Sequence, residues 1–130
     1  MLKTFAAIFI ILHGLAHAIL AAVPSPKAPD QGFAMFFSGG GSWLLPGLSK
    51  SAGQTITITL AVIATIGLVA TGLALFDVLV PFGAWRALAI GSAVVSLLLL
   101  VAFWDMYFIV GLIIDVVLLV TLLFTNWSPR

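Results

Sequence analysis

Residues 51–76, SAGQTITITLAVIATIGLVATGLALF, run for 26 positions without a charge between Lys50 and Asp77. A helix needs roughly 20 apolar residues to cross the hydrocarbon core of a bilayer. The stretch is long enough, holds no proline, and shows none of the in–out alternation of a barrel strand. It predicts a transmembrane helix over 55–76.

Three more uncharged runs flank it. One lies between Lys3 and Lys27, one between Arg86 and Asp105, and one follows Asp105 with Asp115 as its only interruption. They predict helices near 4–23, 85–104 and 107–126. All six prolines (24, 26, 29, 46, 81 and 129) fall outside these spans, where they end helices without breaking one. Trp85, Trp104 and Trp127 stand at predicted helix ends and Trp43 in the long loop, in keeping with the preference of indoles for the membrane interface. The expected architecture is an all-α integral membrane protein, an antiparallel four-helix bundle in one domain over 1–130.

Composition points the same way. Hydrophobic residues make up 63% of the chain and charged residues 7%, against about 25% charged in an average soluble domain. Five basic and four acidic residues cannot coat a soluble fold of this size. A net charge of +1 carries no signal for nucleic acid. The chain has no cysteine, which excludes disulfides, thiolate metal sites and thiol nucleophiles.

The first span has features of a signal peptide: Lys3, an apolar stretch, and Ala16-His17-Ala18 as a small-x-small site. Its length and two histidines argue against cleavage, so residues 1–23 are expected to be retained. Four spans put both termini on one side, with Lys3, Arg86 and Arg130, against Lys27 and Lys50 on the other. The positive-inside rule then favours cytoplasmic termini in the cell membrane. The 24–54 connection mixes proline and glycine with Phe33, Met35, Phe36, Phe37, Trp43, Leu44 and Leu45. It is expected to lie against the membrane face or over the mouth of the bundle, burying most of these side chains.

Ionisable groups inside a span are costly and seldom idle. His13 and His17 are four apart, so they share one helix face. At ~1.5 Å per residue, His13 lies about 14 Å and His17 about 20 Å from the side of the termini. Asp115, Thr65 and Ser96 all lie about 17 Å deep on the same count. These positions, with Ser92 beside the small residues Ala87 and Gly91 of the third helix, predict a polar layer at mid-membrane. Small neighbours such as Gly14, Ala18 and Gly111 let helix backbones approach closely.

Two readings of the layer stand side by side. In one, His and Asp only link helices through hydrogen bonds. In the other they form a site. His13, His17 and Asp115 make a three-ligand set for a divalent metal, His13 or His17 is a candidate axial ligand for haem, and a carboxylate beside imidazoles is suited to relaying protons. Lipid or quinone binding within the bundle is a further alternative. A zinc-protease motif is excluded, because the residue after the first histidine is Gly14 and the chain contains no glutamate. The Gly47-Leu48-Ser49-Lys50-Ser51 stretch lacks the strand and the adjacent Gly-Lys of a phosphate loop. No serine-hydrolase elbow is present.

The segment Leu12-His13-Gly14-Leu15-Ala16-His17, followed by the Trp104-Asp105 corner and Ile114-Asp115, resembles small bacterial four-span membrane proteins of the DoxX-like group and related families. The resemblance covers span number and length throughout, and in motif terms the His-Gly-x-x-His stretch. It implies a four-helix bundle in the bacterial inner membrane, and for some members a role as a small subunit of membrane redox systems. The basic residue that many such proteins carry beside this motif is missing here. The functional expectation is therefore an accessory or assembly subunit, partnered by the lipid bilayer and by other membrane subunits or copies of itself. A proton or metal-ion carrier, or a haem- or quinone-linked redox protein, is the alternative. Too little of the chain lies outside the membrane to build a soluble active site.

Overall fold

The computed structural model describes residues 1–23 and 41–129. They are all-helical, with four helices long and apolar enough to cross a membrane. These are α1 (Leu2–Ala22), α2 (Lys50–Phe76), α3 (Trp85–Ala102) and α4 (Ile109–Phe124). Single 3₁₀ turns, Phe82–Ala84 and Met106–Phe108, lead into α3 and α4.

The observed ends differ from the sequence expectation most at α2, which begins at Lys50 rather than 55. Ser49 is the reason. Its side chain accepts the Ala52 N–H at 3.2 Å, satisfying one of the four free donors that start any helix. At 27 residues α2 is about 40 Å long, so its polar first turns reach beyond a hydrocarbon core of roughly 30 Å. Its other end closes on Asp77 in the left-handed conformation, φ 59°. Asp77 N–H reaches Ala74 O and Val78 N–H reaches Leu73 O, each at 3.0 Å, the bond pair of a Schellman ending. The Asp77 carboxylate then accepts the Phe82 N–H at 2.9 Å, setting the turn into α3. At the α3–α4 corner Asp105 accepts the Tyr107 N–H at 3.3 Å.

The helices pack in chain order, α1 on α2, α2 on α3 and α3 on α4. Small residues set the first two seams. A Cβ on Gly14 would lie 2.8 Å from Leu68 Cβ, and one on Gly72 would lie 2.9 Å from the Ala7 carbonyl oxygen. A Cβ on Gly67 would lie 2.6 Å from Ser92 Cβ, across α2 and α3. By contrast, α1 and α4 form no extended backbone contact, so the bundle stays open along one side.

Two apolar clusters fill the interior. One, at the end of the termini, contains Ala7, Leu68, Leu75, Trp85 and Leu122, with Trp127 packed against it. The other contains Ala61, Leu99, Leu100, Phe103 and Phe108. The Trp85 and Trp127 rings meet edge to face at 5.9 Å, and Lys3 Nζ stands 5.0 Å over the Phe82 ring. Arg86 donates to the carbonyl oxygens of Leu122 and, at 2.8 Å, Thr125, closing the end of α4.

Of the long connection, 41–49 is docked on the end of α3 by hydrogen bonds. Ser42 Oγ donates to Ala102 O and Trp43 Nε1 to Val101 O, both at 2.6 Å. These carbonyls end α3 and have no partner within the helix. Trp43, Leu44 and Leu45 are 65%, 51% and 43% exposed on the protein's own surface, where they are free to meet the membrane face. Capping of these carbonyls holds this segment, together with Leu48, which packs against the second apolar cluster. Phe33, Met35, Phe36 and Phe37 lie outside the described residues.

Candidate functional site

Between the two apolar clusters the four helices contribute polar side chains at one level. His13 and His17 come from α1, Thr65 from α2, Ser96 from α3 and Asp115 from α4. The four-residue spacing stacks the imidazoles on one face, with ring centroids 5.0 Å apart and planes at 87°. Gly111, one turn before Asp115, lets α4 pass close to this face: a Cβ there would lie 3.8 Å from His13 Cε1.

His13 Nε2 lies 2.9 Å from Asp115 Oδ1. The other carboxylate oxygen, Oδ2, is hydrogen-bonded to Ser96 Oγ. Ser96 Oγ is in turn 2.6 Å from His17 Nε2. His17 Nδ1 donates to the His13 backbone carbonyl at 3.0 Å. The side chains form one chain, His17–Ser96–Asp115–His13, pinned at its His17 end by the backbone one turn earlier. Asp115 and Ser96 are fully buried and His17 nearly so. Among the described residues the only ion-pair partner of Asp115 is His13, and no buried side-chain nitrogen or oxygen lacks a hydrogen bond.

Proton counting limits what the chain can hold. Serine carries one hydroxyl proton, so Ser96 donates to one neighbour and accepts from the other. With no net charge on the cluster, two arrangements satisfy every link. In the first, Ser96 donates to neutral His17, protonated Asp115 donates to Ser96, and His13 Nε2–H donates to Asp115 Oδ1. In the second, imidazolium His17 donates to Ser96, Ser96 donates to the Asp115 carboxylate, and His13 Nε2–H again donates to Oδ1. Both contain the same number of protons and differ by a concerted shift through Ser96. The first avoids separated charges in an apolar interior, where they are costly.

Each of these two uncharged-cluster arrangements leaves His13 Nδ1 with a lone pair. This nitrogen has no partner among the described residues, and since no fully buried nitrogen is unpartnered, it lies on the accessible side of the ring. His13 borders a cleft of about 360 Å³ between α1 and α4, lined by both histidines, Tyr107 and otherwise apolar and aromatic residues.

Two members of the expected layer stand outside this chain. Thr65 Oγ1 donates to the Gly14 carbonyl at 3.0 Å, tying α2 to α1 behind the histidines without joining the chain. Ser92 Oγ donates to Leu88 O in its own helix at 2.6 Å, and its Cβ packs against Gly67. Ser96 proves to be the link between His17 and Asp115, and the matched depth of the two was the only sequence signal for it. The cleft residues Phe9, Leu12, Tyr107 and Phe108 carried no sequence signal, because they read as lipid-facing helix surface.

The same groups can serve as metal ligands. One nitrogen from each histidine and a carboxylate oxygen of Asp115 lie within 4.8 Å of one another. The His17 Nδ1–carbonyl bond is the outer-shell contact that orients a ligating imidazole. An ion would replace the shared protons, and the cleft would supply an open fourth position. Haem fits less well, since both Nε2 atoms and His17 Nδ1 are already engaged, which leaves His13 Nδ1 alone of the four ring nitrogens. Comparison with protein-family models, curated proteins and solved structures finds no match to this chain.

Proposed function

We propose that this multi-pass membrane protein is a small accessory subunit that holds and relays a proton at the middle of the bilayer. The observation that carries the reading is the unbroken His17–Ser96–Asp115–His13 chain, which has two proton arrangements of equal count and one imidazole nitrogen open to the α1/α4 cleft. Mid-membrane carboxylates and imidazoles typically mark proton or ion pathways. The chain's small extramembrane portion favours work within a larger membrane complex, with other subunits or with copies of itself. The DoxX-like resemblance, resting on His13-Gly14-Leu15-Ala16-His17, favours a bacterial inner membrane, and the distribution of Lys3, Arg86 and Arg130 favours cytoplasmic termini.

Infrared difference spectroscopy between acid and neutral pH, on protein in lipid nanodiscs, tests this. A carboxyl C=O band that disappears in Asp115→Asn and shifts in Ser96→Ala is expected. A spectrum with no band assignable to Asp115 and no imidazole change would overturn it.

A divalent-metal site is the second reading, favoured by the 4.8 Å convergence of the three ligand atoms. Metal analysis and the visible spectrum of protein purified from its native membrane separate the two. Stoichiometric metal that is lost in His17→Ala replaces the proton reading, and a Soret band replaces both.

A further inference from the structure

The α1/α4 cleft lies on the side of the bundle where the neighbouring helices, α1 and α4, form no extended backbone contact. Its lips are exposed: Leu12 of α1 is 60% and Val110 of α4 is 64% accessible, so it opens sideways toward lipid. Phe108, 2% exposed, and Phe9 supply ring surfaces. At about 360 Å³ it lies near the small end of ligand pockets, which run from about 300 to 1,000 Å³. That space suits a one- or two-ring head with any tail left in the bilayer. Its polar lining residues are His13, His17 and Tyr107, and His13 Nδ1 is the imidazole nitrogen left without a partner among the described residues. With His13 Nε2–H committed to Asp115, Nδ1 offers a lone pair and no proton, so it recognises a donor and rejects a pure acceptor.

We propose that the cleft binds a lipid-soluble aromatic molecule bearing a ring hydroxyl, which donates its O–H to His13 Nδ1. The ligand class rests on the proton reading above in one respect only, the His13 tautomer that the Asp115 carboxyl imposes. A metal on His13 Nε2 would leave the proton on Nδ1 and invert the preference toward acceptors. Rings suit the aromatic lining through edge and face contacts. A saturated acyl chain would fill the same space and leave the nitrogen unpaired.

The test is binding of 1-naphthol, 1-methoxynaphthalene and naphthalene to the full chain in nanodiscs, followed by naphthalene-type fluorescence against empty nanodiscs. Naphthol is expected to bind roughly threefold to tenfold more tightly than either analogue, the span of one net hydrogen bond. His13→Phe is expected to abolish that preference. Leu12→Trp, at an exposed lip, is expected to weaken all three probes while leaving the Asp115 infrared band in place. Equal binding of the three probes, a preference for the methoxy compound, or unchanged binding in Leu12→Trp would each overturn the proposal. If the Asp115 band is absent but naphthol is still preferred, the proton reading fails and the cleft stands. If the band is present and the preference is absent, the cleft fails alone.

Discussion

Asp115 Oδ1 meets His13 Nε2 at 2.9 Å across the α1/α4 side, where the two backbones have no extended contact. One buried polar link thus joins the first and last helices of a bundle whose first two seams are closed by small residues. Its partners on both sides, Ser96 and His17, make it part of a chain rather than an isolated pair. The consequences for variants are specific.

Asp115→Asn retains a full set of hydrogen bonds. The amide oxygen accepts from His13 Nε2–H, and the amide N–H₂ donates to Ser96, as a protonated Asp115 does. Stability is expected to stay within about 1 kcal/mol of the parent, while the relay is locked in the neutral arrangement. Asp115→Leu strands His13 Nε2–H and is expected to cost about 1–3 kcal/mol, the penalty of an unsatisfied buried group. Thermal or denaturant unfolding in one detergent, comparing the two variants, checks the difference. Equal destabilisation would contradict the chain.

Ser96→Ala removes the one hydroxyl that couples His17 to Asp115. Nitrogen-15 spectra of the histidine side chains are the direct readout. In the parent protein, Asp115→Asn is expected to shift the His17 Nε2 resonance. In the Ser96→Ala background the same substitution is expected to leave it unmoved, while His13 Nε2 still responds.

Glycines at the seams and on the surface should differ in sign. Gly72→Ala places a methyl group 2.9 Å from the Ala7 carbonyl oxygen and against Ile11, and is expected to cost about 1–3 kcal/mol by overpacking α1 on α2. Gly91→Ala meets nothing within 4 Å. It is expected to be neutral or to stabilise α3 by up to about 1 kcal/mol through helix propensity. Parallel unfolding curves for the two variants decide it.

Leu79, in the α2–α3 connection, has φ 62° and is 90% exposed. A left-handed backbone costs a residue with a Cβ roughly 1–2 kcal/mol, and this side chain has little packing to offset it. Leu79→Gly is expected to raise stability by several tenths to about 1 kcal/mol, after the greater freedom of glycine in the unfolded chain is deducted. A fall in stability would mean that Leu79 makes a contact in the bilayer interface worth more than the strain.

Four uncharged runs bounded by Lys3, Lys50, Asp77, Arg86 and Asp105 were enough to determine an all-helical four-span chain, because hydrocarbon leaves a spanning segment no other way to satisfy its backbone. The fixed rise per residue also gave the depths of His13, His17, Ser96 and Asp115, and so their shared level. Which of them touch was decided only by tertiary structure. Each residue turns a helix by about 100°, so residues at one depth point in different directions until packing sets the rotation. Close approaches at Gly14, Gly67 and Gly72 set it here. They turn Thr65 onto the Gly14 carbonyl, leave Ser92 bonded within α3, and aim Ser96 between His17 and Asp115. The cleft was hidden for the same reason: Phe9, Leu12 and Val110 look like any lipid-facing residues, and only the lack of extended packing between α1 and α4 makes them the walls of a site.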